Sequence, residues 1–450
     1  MSMVAEVSSE NSSVHTADVL VLGAGIAGLA AARSLAEHGM RPMVLEARDR
    51  VGGRVYSLQT GQGVVELGAE FVHGKNAELW ALIEEARANT VERDGSMLRE
   101  SSAGELTEDE HVEESLFDPL DQLADLPQDM TFADWLASND MPKGQRMGLR
   151  GYVEGFNAAD ANRISALALG FQQKAEGQIE GDRAWHVRGG YSQLAIYLAN
   201  QVRKLGGEIR LGCVVQAVRW SAGEVAVETN NRVFRAPRCV VTFPLGVLQR
   251  VNREGGPGFE PEPAAIAQAR RLAMGSAERF TMIFREPWWE QSKGVNKKAL
   301  ETLSFLFTFR RSPPVWWTPH PEARALPTLT GWAGGPGAAK LIGRDAEELG
   351  HEVCRDLAEI FGVPEQQVRD ALLATHKHDW DLDPFSYGAY SYVPAGALDA
   401  PAKMADPESG TLFFAGEHTD TTANWGTVHA ALGTGLRAAE QVFSSLTSAR

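Results

Sequence analysis

The first fifty residues of the chain fall into three patterned stretches. Residues 17–22 form a short apolar run suited to a buried parallel strand, and residues 29–38 form an alanine-rich helical stretch that Gly39 ends. Residues 41–46 form a second short strand, which finishes on the acidic residue Glu46. This order predicts a strand–helix–strand unit at the start of the fold.

Several later segments also carry regular patterns. Residues 208–218 alternate in hydrophobicity and predict a strand, and residues 224–234 alternate in the manner of a hairpin. Residues 239–248 form an apolar strand that leads into a proline. Residues 411–419 form another apolar strand, which ends in Gly-Glu, and a last helix opens after Gly426. Strands are therefore expected near both ends of the chain.

A glycine-rich turn joins the first strand to the helix. It reads Gly23-x-Gly25-x-x-Gly28, where the first glycine permits the tight turn, the second lets the backbone approach a pyrophosphate, and the third allows close helix–strand packing. The helix start offers free N–H groups to phosphates. Glu46 follows Gly28 by 18 residues, where an acid accepts hydrogen bonds from ribose hydroxyls. The combination predicts a bound dinucleotide without choosing between NAD and FAD.

The residues after Glu46 choose the dinucleotide. Arg48 is followed by a pair of glycines and Arg54, so that Gly53 can approach the pyrophosphate and Arg54 can offer its fork of donors. The spacing resembles the Glu-x-x-x-x-x-Gly-Gly-Arg signature of the FAD-binding amine oxidase superfamily. The resemblance extends over roughly residues 18–439 and implies that the cofactor is FAD.

Other segments follow the same family. Residues 63–74 resemble the loop that passes beside the flavin ring, and polyamine oxidases carry a tunnel-lining histidine or acid at the position of His73. Residues 411–419 resemble the second FAD motif. The resemblance implies a set of cofactor-binding residues, which are Gly23, Gly25, Gly28, Glu46, Arg48, Gly53, Arg54, Gly68, Ala69, Glu70, Val215 (through its backbone), Gly416, Glu417, Thr427 and Val428.

The segment 383–392 indicates the branch of the family. It closely resembles polyamine oxidases and lysine-specific histone demethylases, in which an aromatic side chain from this segment forms a wall of the amine site. Tyr390 matches that side chain, and Trp380 is the second candidate. A pair of rings positions a substrate nitrogen and favours positive charge developing on it. Packing in the core alone is the alternative explanation for both rings.

One position departs from the family pattern. Relatives carry a lysine that holds a water near flavin N5 within a Gly-x-x-x-Lys segment, and here the segment that begins at Gly275 places Arg279 at that position. Arginine keeps a positive charge and several donors, but it cannot serve as a base. Orientation for hydride transfer should survive the change, whereas reaction of the reduced flavin with oxygen is put in doubt.

Acidic residues that bind the amine are harder to select. Glu176, Glu180 and Asp182 precede a Gly-Gly-Tyr unit and are possible amine-binding acids. Acids on a protein surface are common without such a role, so the sequence does not decide between them. No docking module for a histone peptide is visible, which favours small amines.

Length and composition set the architecture that the motifs occupy. The chain has 450 residues, 44% of them hydrophobic, and a single core rarely grows past about 250–300 residues. We therefore expect an α/β fold with a Rossmann-type FAD-binding domain, built from discontinuous segments, and an α+β substrate-binding domain. The expected division is a disordered tail at 1–16, the FAD-binding domain at 17–75, 186–262 and 405–450, and the substrate-binding domain at 76–185 (mainly helical) and 263–404.

Charge and cysteine content narrow the partners. The formal net charge is −16, and residues 92–129 hold thirteen acids against two bases. Nucleic acid is not expected, since its phosphates are repelled; the acidic surface is either a solvated face or concentrates cationic substrates. The sequence contains no apolar run of about 20 residues, so no membrane span is expected. Cys213, Cys239 and Cys354 lie too far apart in sequence for a disulfide framework or a metal site, which favours the cytoplasm.

The features together predict a flavin-containing amine oxidase with Arg279, Tyr390, Trp380 and His73 at the reaction site. By resemblance, a polyamine or another small amine loses hydride to flavin N5, and the imine hydrolyses to an aldehyde and an amine. O2 is the expected acceptor, giving H2O2. Three alternatives stay open: an L-amino-acid oxidase with an arginine that clamps the carboxylate, a flavin dehydrogenase or desaturase for another acceptor or an apolar substrate, and a non-catalytic FAD-stabilised interaction protein.

Overall fold

The predicted strand–helix–strand unit forms the middle of a parallel sheet. A computed structural model describes residues 15–101, 103–108, 117–308 and 311–447. The parallel sheet has five strands. All of them except the edge strand Glu208–Arg210 are buried along their whole length, as expected when both faces of a sheet are covered. Their order is Glu208–Arg210, Pro42–Leu45, Val19–Leu22, Cys239–Val241 and Leu412–Phe414.

The strand Val19–Leu22 shares its side chains between two cores. Val19 and Val21 pack among the helices Ile26–Glu37, Ser192–Lys204 and Val428–Thr447. Leu20 and Leu22 pack in a core that also holds residues of a second sheet. The sheet is therefore covered on both faces, and the glycine turn lies at its carboxyl edge.

The second sheet also has five strands. It contains the predicted hairpin as an antiparallel pair, and parallel strands lie at both of its edges. Its order is His15–Thr16, Val233–Ala236, Glu224–Thr229, Val215–Ser221 and Gly258–Glu260.

The prediction of one strand over residues 208–218 is wrong. The chain forms two strands there, Glu208–Arg210 in the parallel sheet and Val215–Ser221 in the second sheet. Gly212 between them has φ +65°, a left-handed conformation that ends an extended strand. The turn is held where it is because the Gly212 N–H donates to Arg48 O and the Cys213 N–H donates to Glu46 O.

A seven-stranded sheet forms the other large layer. Its strands pair antiparallel, apart from the parallel pair between Leu303–Phe307 and Ser96–Glu100. The order is Leu372–Lys377, Ala277–Phe284, Thr328–Gly334, Val315–Trp317, Leu303–Phe307, Ser96–Glu100 and Leu106–Glu108. Three small sheets complete the strands, which are Phe71–His73 with Ala184–Val187 and Thr90–Glu92, Ala273–Met274 with Ser391–Tyr392, and Ser57–Gln59 with Val64–Glu66.

Helices cover these sheets and connect them. The α-helices span Ile26–Glu37, Ala77–Glu85, Phe132–Ser138, Lys143–Phe156, Ala166–Gly177, Ser192–Lys204, Leu245–Leu248, Ala264–Ala269, Lys297–Glu301, Ala346–Phe361, Glu365–Ala371, Ala400–Ala405 and Val428–Thr447. Short 3-10 helices span Asp118–Asp125, Trp288–Gln291, Gly335–Lys340 and Glu417–Thr419. Among the described residues, no helix is both long and apolar enough to cross a membrane.

Two sequence predictions fall partly outside the described residues. Of the tail expected at 1–16, residues 1–14 lie outside them, and the last two residues, His15 and Thr16, form a strand and are not a disordered tail. A strand forms because their backbone pairs in parallel with Phe234 and Arg235. Residues 109–116 of the acidic segment also lie outside. The division into an FAD-binding and a substrate-binding domain remains our proposal.

Candidate active site

A cavity of about 1120 Å³ lies at the carboxyl edge of the parallel sheet. It is larger than the about 300–1,000 Å³ of most small-molecule pockets, so a dinucleotide and a second molecule can share it. All of the predicted site residues except Gly28 line it: Gly23, Gly25, Glu46, Arg48, Gly53, Arg54, Gly68, Ala69, Glu70, His73, Val215, Arg279, Trp380, Tyr390, Gly416, Glu417, Thr427 and Val428. The structure brings these residues together, and their individual roles remain predictions.

The glycine turn fits a bound pyrophosphate. Gly23 has φ +107°, and a Cβ at Gly28 would lie 2.0 Å from Gly23 O, so the strand and the helix are in direct backbone contact. A Cβ at Gly25 would meet no atom within 4 Å, because this residue faces the cavity. Within the described chain, no side chain caps the helix that Gly25 precedes. Its first N–H groups are therefore available to phosphate oxygens.

Glu46 is held beside this turn. Its Oε2 accepts a hydrogen bond from the Ala24 N–H at 2.7 Å, and its Oε1 accepts one from the Arg48 N–H at 2.9 Å. The side chain is buried at the end of the strand Pro42–Leu45. A carboxylate fixed next to a phosphate-binding turn fits the ribose of a dinucleotide.

Arg54 and Glu417 form an ion pair in the cavity wall, in which Glu417 is buried and Arg54 is partly exposed. Arg54 Nη1 donates to Glu417 Oε1 and to Ala389 O, both at 2.8 Å. Glu417 also accepts hydrogen bonds from the Ser391 hydroxyl and from the Gly426 N–H. Burial by itself raises the pKa of Glu417, but the charge of Arg54 and these hydrogen bonds hold that pKa below its ordinary value. The pair is therefore ionised.

Arg48 contacts a different segment. Its guanidinium donates to Asp383 Oδ1 from Nη1 at 3.1 Å and from Nη2 at 3.0 Å. His378 Nε2 lies 2.6 Å from Asp383 Oδ2. Burial works to raise the pKa of Asp383, but its bonds to His378 and Arg48 keep the pKa below the usual value. Arg48 thereby fixes the segment that leads to Tyr390 against the nucleotide turn.

The loop beside the predicted flavin position is pressed onto Arg54. A Cβ at Gly68 would lie 1.9 Å from Arg54 O, so only glycine fits there. The Ala69 N–H donates to the same oxygen at 3.0 Å. Trp380 is buried, and its indole N–H donates to Leu67 O at 2.8 Å. Trp380 therefore supports this loop as well as lining the cavity.

Arg279 reaches this loop from the strand Ala277–Phe284. Its Nη1 donates to Gly68 O at 2.8 Å, and its Nη2 donates to Glu70 Oε2 at 2.6 Å. The Trp317 indole N–H lies 3.1 Å from both oxygens of Glu70. Burial is the largest single effect and raises the pKa of Glu70, but the surrounding positive groups, Arg279 foremost, together hold the pKa below its ordinary value, so the carboxylate stays ionised. The pairing could not be predicted from the sequence, because nothing in the chain order connects Glu70 with Arg279.

Tyr390 lines the cavity on the side of the last helix. Its hydroxyl donates to Phe156 O at 2.6 Å. Gly426, with φ +80°, comes so close that an added Cβ would lie 3.0 Å from the Tyr390 ring. The ring is thus fixed by a hydrogen bond at one end and by backbone contact on its side.

Two histidines, His73 and His429, add polar groups to the cavity lining. Burial lowers the pKa of each to about 4, with a further lowering of His73 by His429. Both imidazoles are therefore neutral near pH 7. The His73 ring lies 5.8 Å from the Phe71 ring and 5.7 Å from the Phe156 ring.

The aromatic part of the remaining lining could not be identified from the sequence. A set of rings lines the part of the cavity away from the glycine turn, namely Phe71, Tyr152, Phe156, Phe305, Phe307, Trp317 and Trp332. Glu176 and Asp182 line the cavity, as does Asp121, whereas Glu180 is paired with Arg183 and Lys75. Isolated aromatic residues carry no sequence signal because most of them serve as core.

One acidic cluster lies outside the cavity lining. Carboxylate oxygens of Glu278, Asp379 and Asp381 lie within 4.8 Å of one another. Lys377 Nζ lies 2.7 Å from Glu278 and 3.6 Å from Asp379. A lysine ammonium therefore takes the place that a cation would have, and we assign no metal to this cluster.

The fold and the cavity define a dinucleotide-binding protein whose cofactor site adjoins an aromatic-lined ligand site. A model of the flavin-containing amine oxidoreductases matches residues 26–443. The chain belongs to that family. The match confirms the predicted family, the α/β fold class, the oxidoreductase class and the flavin cofactor, FAD.

Known relatives extend the comparison. "Lysine-specific histone demethylase 1 homolog 2" of Arabidopsis thaliana is 28% identical over 94% of this chain and 58% of its own length. "Amine oxidase [flavin-containing]" of Oncorhynchus mykiss is 25% identical over 95% of this chain and 86% of its own. Wild-type putrescine oxidase bound to putrescine has the same fold, with a TM-score of 0.80, 22% identity, and coverage of 96% of this chain and 100% of that one. The chain spans little more than half the length of the demethylase relatives.

A pair of glycine variants separates the two tasks of the turn. In Gly28→Ala the new Cβ meets Gly23 O, so we expect the free energy of unfolding of the apoprotein to fall by roughly 1–3 kcal/mol. In Gly25→Ala the Cβ meets only the cavity, so apoprotein stability should be unchanged while FAD is retained less tightly. Denaturant unfolding of the apoprotein and the FAD content of purified protein measure the two effects. Equal loss of stability in both variants would contradict this assignment.

Proposed function

We propose that this protein oxidises a carbon–nitrogen bond of a small amine, with diamines and polyamines as its substrates. The imine product then hydrolyses to an aldehyde and either ammonia, when a primary amine is oxidised, or a smaller amine, when a secondary amine is oxidised. FAD, when bound, supplies the acceptor for the hydride that leaves the amine carbon. The chain binds the amine, orients it and excludes water. The observation that carries the proposal is that Glu176, an acid in the cavity lining, has no cationic partner among the described residues.

Glu176 is an acid on the cavity wall without a cation. Its Oε1 accepts a hydrogen bond from Gln172 Nε2 at 3.2 Å, and burial raises its pKa to about 7. Within the described residues, no lysine, arginine or histidine forms an ion pair with it. By contrast, Glu70 and Glu417 are paired with arginines. An ammonium group of the substrate supplies the charge that Glu176 lacks.

The exposed rim of the cavity favours the same ligands. Asp121 and Asp182 are exposed and line the cavity, and the whole chain carries a formal charge of −16. Negative potential at the mouth of a cleft raises the local concentration of cations and their rate of entry. A wholly apolar substrate would instead leave Glu176 with Gln172 as its hydrogen-bond partner but without a cation, which is costly for a desolvated carboxylate.

Tyr390 and Trp380 are proposed to orient the reacting nitrogen. Hydrogen bonds from their polar ends to Phe156 O and Leu67 O fix both rings, so they need not be ordered when the amine binds. Aromatic faces favour positive charge that develops on the nitrogen. His73, neutral near pH 7, accepts a hydrogen bond from an amine or ammonium N–H. The surrounding rings keep bulk water away from the amine while it is oxidised.

O2 is the proposed acceptor for the reduced cofactor, with H2O2 as product, and the cytoplasm is the proposed location. Arg279 replaces the lysine of relatives, so the rate of reoxidation is the quantity that distinguishes an oxidase from an enzyme that uses another acceptor. Cys213, Cys239 and Cys354 are buried and free, which agrees with a reducing compartment.

An anaerobic absorbance titration tests the proposed function. Purified yellow protein is mixed with spermine, spermidine, putrescine, tyramine, benzylamine and several L-amino acids in turn. We expect a diamine or polyamine to bleach the flavin band, and air to restore it. Bleaching by an L-amino acid alone would move the assignment to an amino-acid oxidase. Lack of bleaching by every compound, with FAD bound, would contradict amine oxidation.

Replacement of Glu176 tests its role in substrate binding. Glu176→Gln keeps the size of the side chain and removes its charge. A hydrogen bond to a charged group contributes about 1.5–3 kcal/mol, so KM for putrescine should rise roughly 10- to 100-fold. Butylamine has the same carbon chain without the second amine, and its KM should be unchanged. A similar rise for both amines would assign Glu176 a structural role instead.

The same residue predicts a pH dependence. With a pKa of about 7, Glu176 is protonated and neutral at pH 6 and ionised at pH 8. The ratio of KM for putrescine to KM for butylamine should therefore fall as the pH rises from 6 to 8. The ratio removes the effect of the reacting amine, which both substrates share. In Glu176→Gln the ratio should not change with pH, and a retained slope would show that another group is responsible.

A further inference from the structure

Four arginines are the cationic residues in the described cavity lining, and three of them are ion-paired with buried acids. Arg48 is paired with Asp383, Arg54 with Glu417, and Arg279 with Glu70. The fourth, Arg99, has its guanidinium carbon 5.3 Å from the centre of the Phe307 ring. Because a carboxylate balances each of the three paired arginines, these arginines attract a negatively charged ligand only weakly.

The Arg279–Glu70 pair lies in the loop region next to His73 and the aromatic rings. The Arg279 side chain is only 4% exposed and that of Glu70 only 10%. Both terminal nitrogens of Arg279 already donate, one to Gly68 O and the other to Glu70. Glu70 in turn accepts from the Trp317 indole N–H. The guanidinium is thus fixed by contacts within the protein itself.

We propose that Glu70 determines specificity by neutralising and fixing Arg279, so that the cavity rejects ligands that carry a carboxylate. A carboxylate is bound most strongly by a guanidinium fork with two free donors. Here both terminal nitrogens of Arg279 already donate, Nη2 to Glu70 and Nη1 to Gly68 O, and the charge of Glu70 repels a second carboxylate nearby. The consequence for substrate choice is that amines are accepted and the corresponding amino acids are rejected. This consequence rests on the proposed amine function.

Other charged groups around the pair do not replace this effect. His186 Nδ1 lies 3.4 Å from Glu70 Oε1, and burial lowers the pKa of His186 to about 4, so it is neutral. Arg93 contacts His186 Nε2 at 3.2 Å and donates to the backbone of Ser304. Arg93 is not in the cavity lining. Arg279 remains the cation of this cluster that a ligand in the cavity would meet.

Benzoate is the probe for the pair, because it offers a carboxylate and is not oxidised. The FAD-loaded protein is titrated with benzoate, and the dissociation constant is read from the change in the flavin absorbance spectrum. We expect weak binding to the parent protein. Glu70→Gln frees Arg279 and should tighten binding tenfold or more. The double variant E70Q/R279Q should return to weak binding.

Several results would overturn the proposal. One is parent protein that binds benzoate as tightly as Glu70→Gln does. Another is a double variant that binds as tightly as the single one, since the gained site would then not be Arg279. Should Glu70→Gln fail to retain FAD, the parent protein decides the question by comparison of benzoate with benzamide, its uncharged analogue. A cavity that rejects carboxylates binds benzamide at least as tightly as benzoate, so tenfold tighter binding of benzoate refutes neutralisation.

Substrate choice gives a second, separate readout. Cadaverine and L-lysine share the same two amines and differ by one carboxylate. The ratio of kcat/KM for cadaverine to that for L-lysine should fall at least tenfold in Glu70→Gln. An unchanged ratio contradicts the proposal. Failure of the amine assignment would appear as no turnover of either compound, while the benzoate titration would still report on the pair.

Discussion

The ion pair between the partly exposed Arg54 and the buried Glu417 joins three distant parts of the chain around the cofactor site. Arg54 follows the nucleotide turn and Glu417 follows the last parallel strand, and the same hydrogen-bond group includes Ala389 and Ser391. Such a pair gains little net stability because the charge of Glu417 loses its hydration, whereas loss of Arg54 would leave that buried charge uncompensated. The pair can form only when all three segments meet, so the cavity walls and the chain topology are specified together.

The nucleotide half of the site could be predicted because its requirements are local. Gly23, Gly25 and Gly28 lie close together in one short stretch, residues 23–28, that joins a strand to a helix. Glu46 follows at a spacing set by one helix and one strand. Apolar runs of four residues gave the buried strands for the same reason. The family resemblance then placed Arg279, Trp380 and Tyr390, and the structure brings all three to one cavity.

What the sequence could not predict depends on long-range contacts. Glu70 and Arg279 are 209 residues apart, and Arg48 and Asp383 are 335 residues apart, so no pattern along the chain pairs them. The division of residues 208–218 into two strands was missed because Gly212 lies within an otherwise regular alternation. An alternating pattern fixes which side chains face inward, but it does not show that the chain changes sheets between them.

Charge acts on a ligand both at the exposed rim of the cavity and in its interior, and at both places it favours a cation. The formal charge of −16 is screened in solution beyond about 8–10 Å, so it steers cations to the rim and cannot choose between them. Selection falls to the interior, where a low dielectric makes each charge costly unless it is paired. There the ion pairs of Arg48, Arg54 and Arg279 are already complete, while Glu176 lacks a cation. A ligand therefore fits best when it brings positive charge to Glu176 and no negative charge to Arg279.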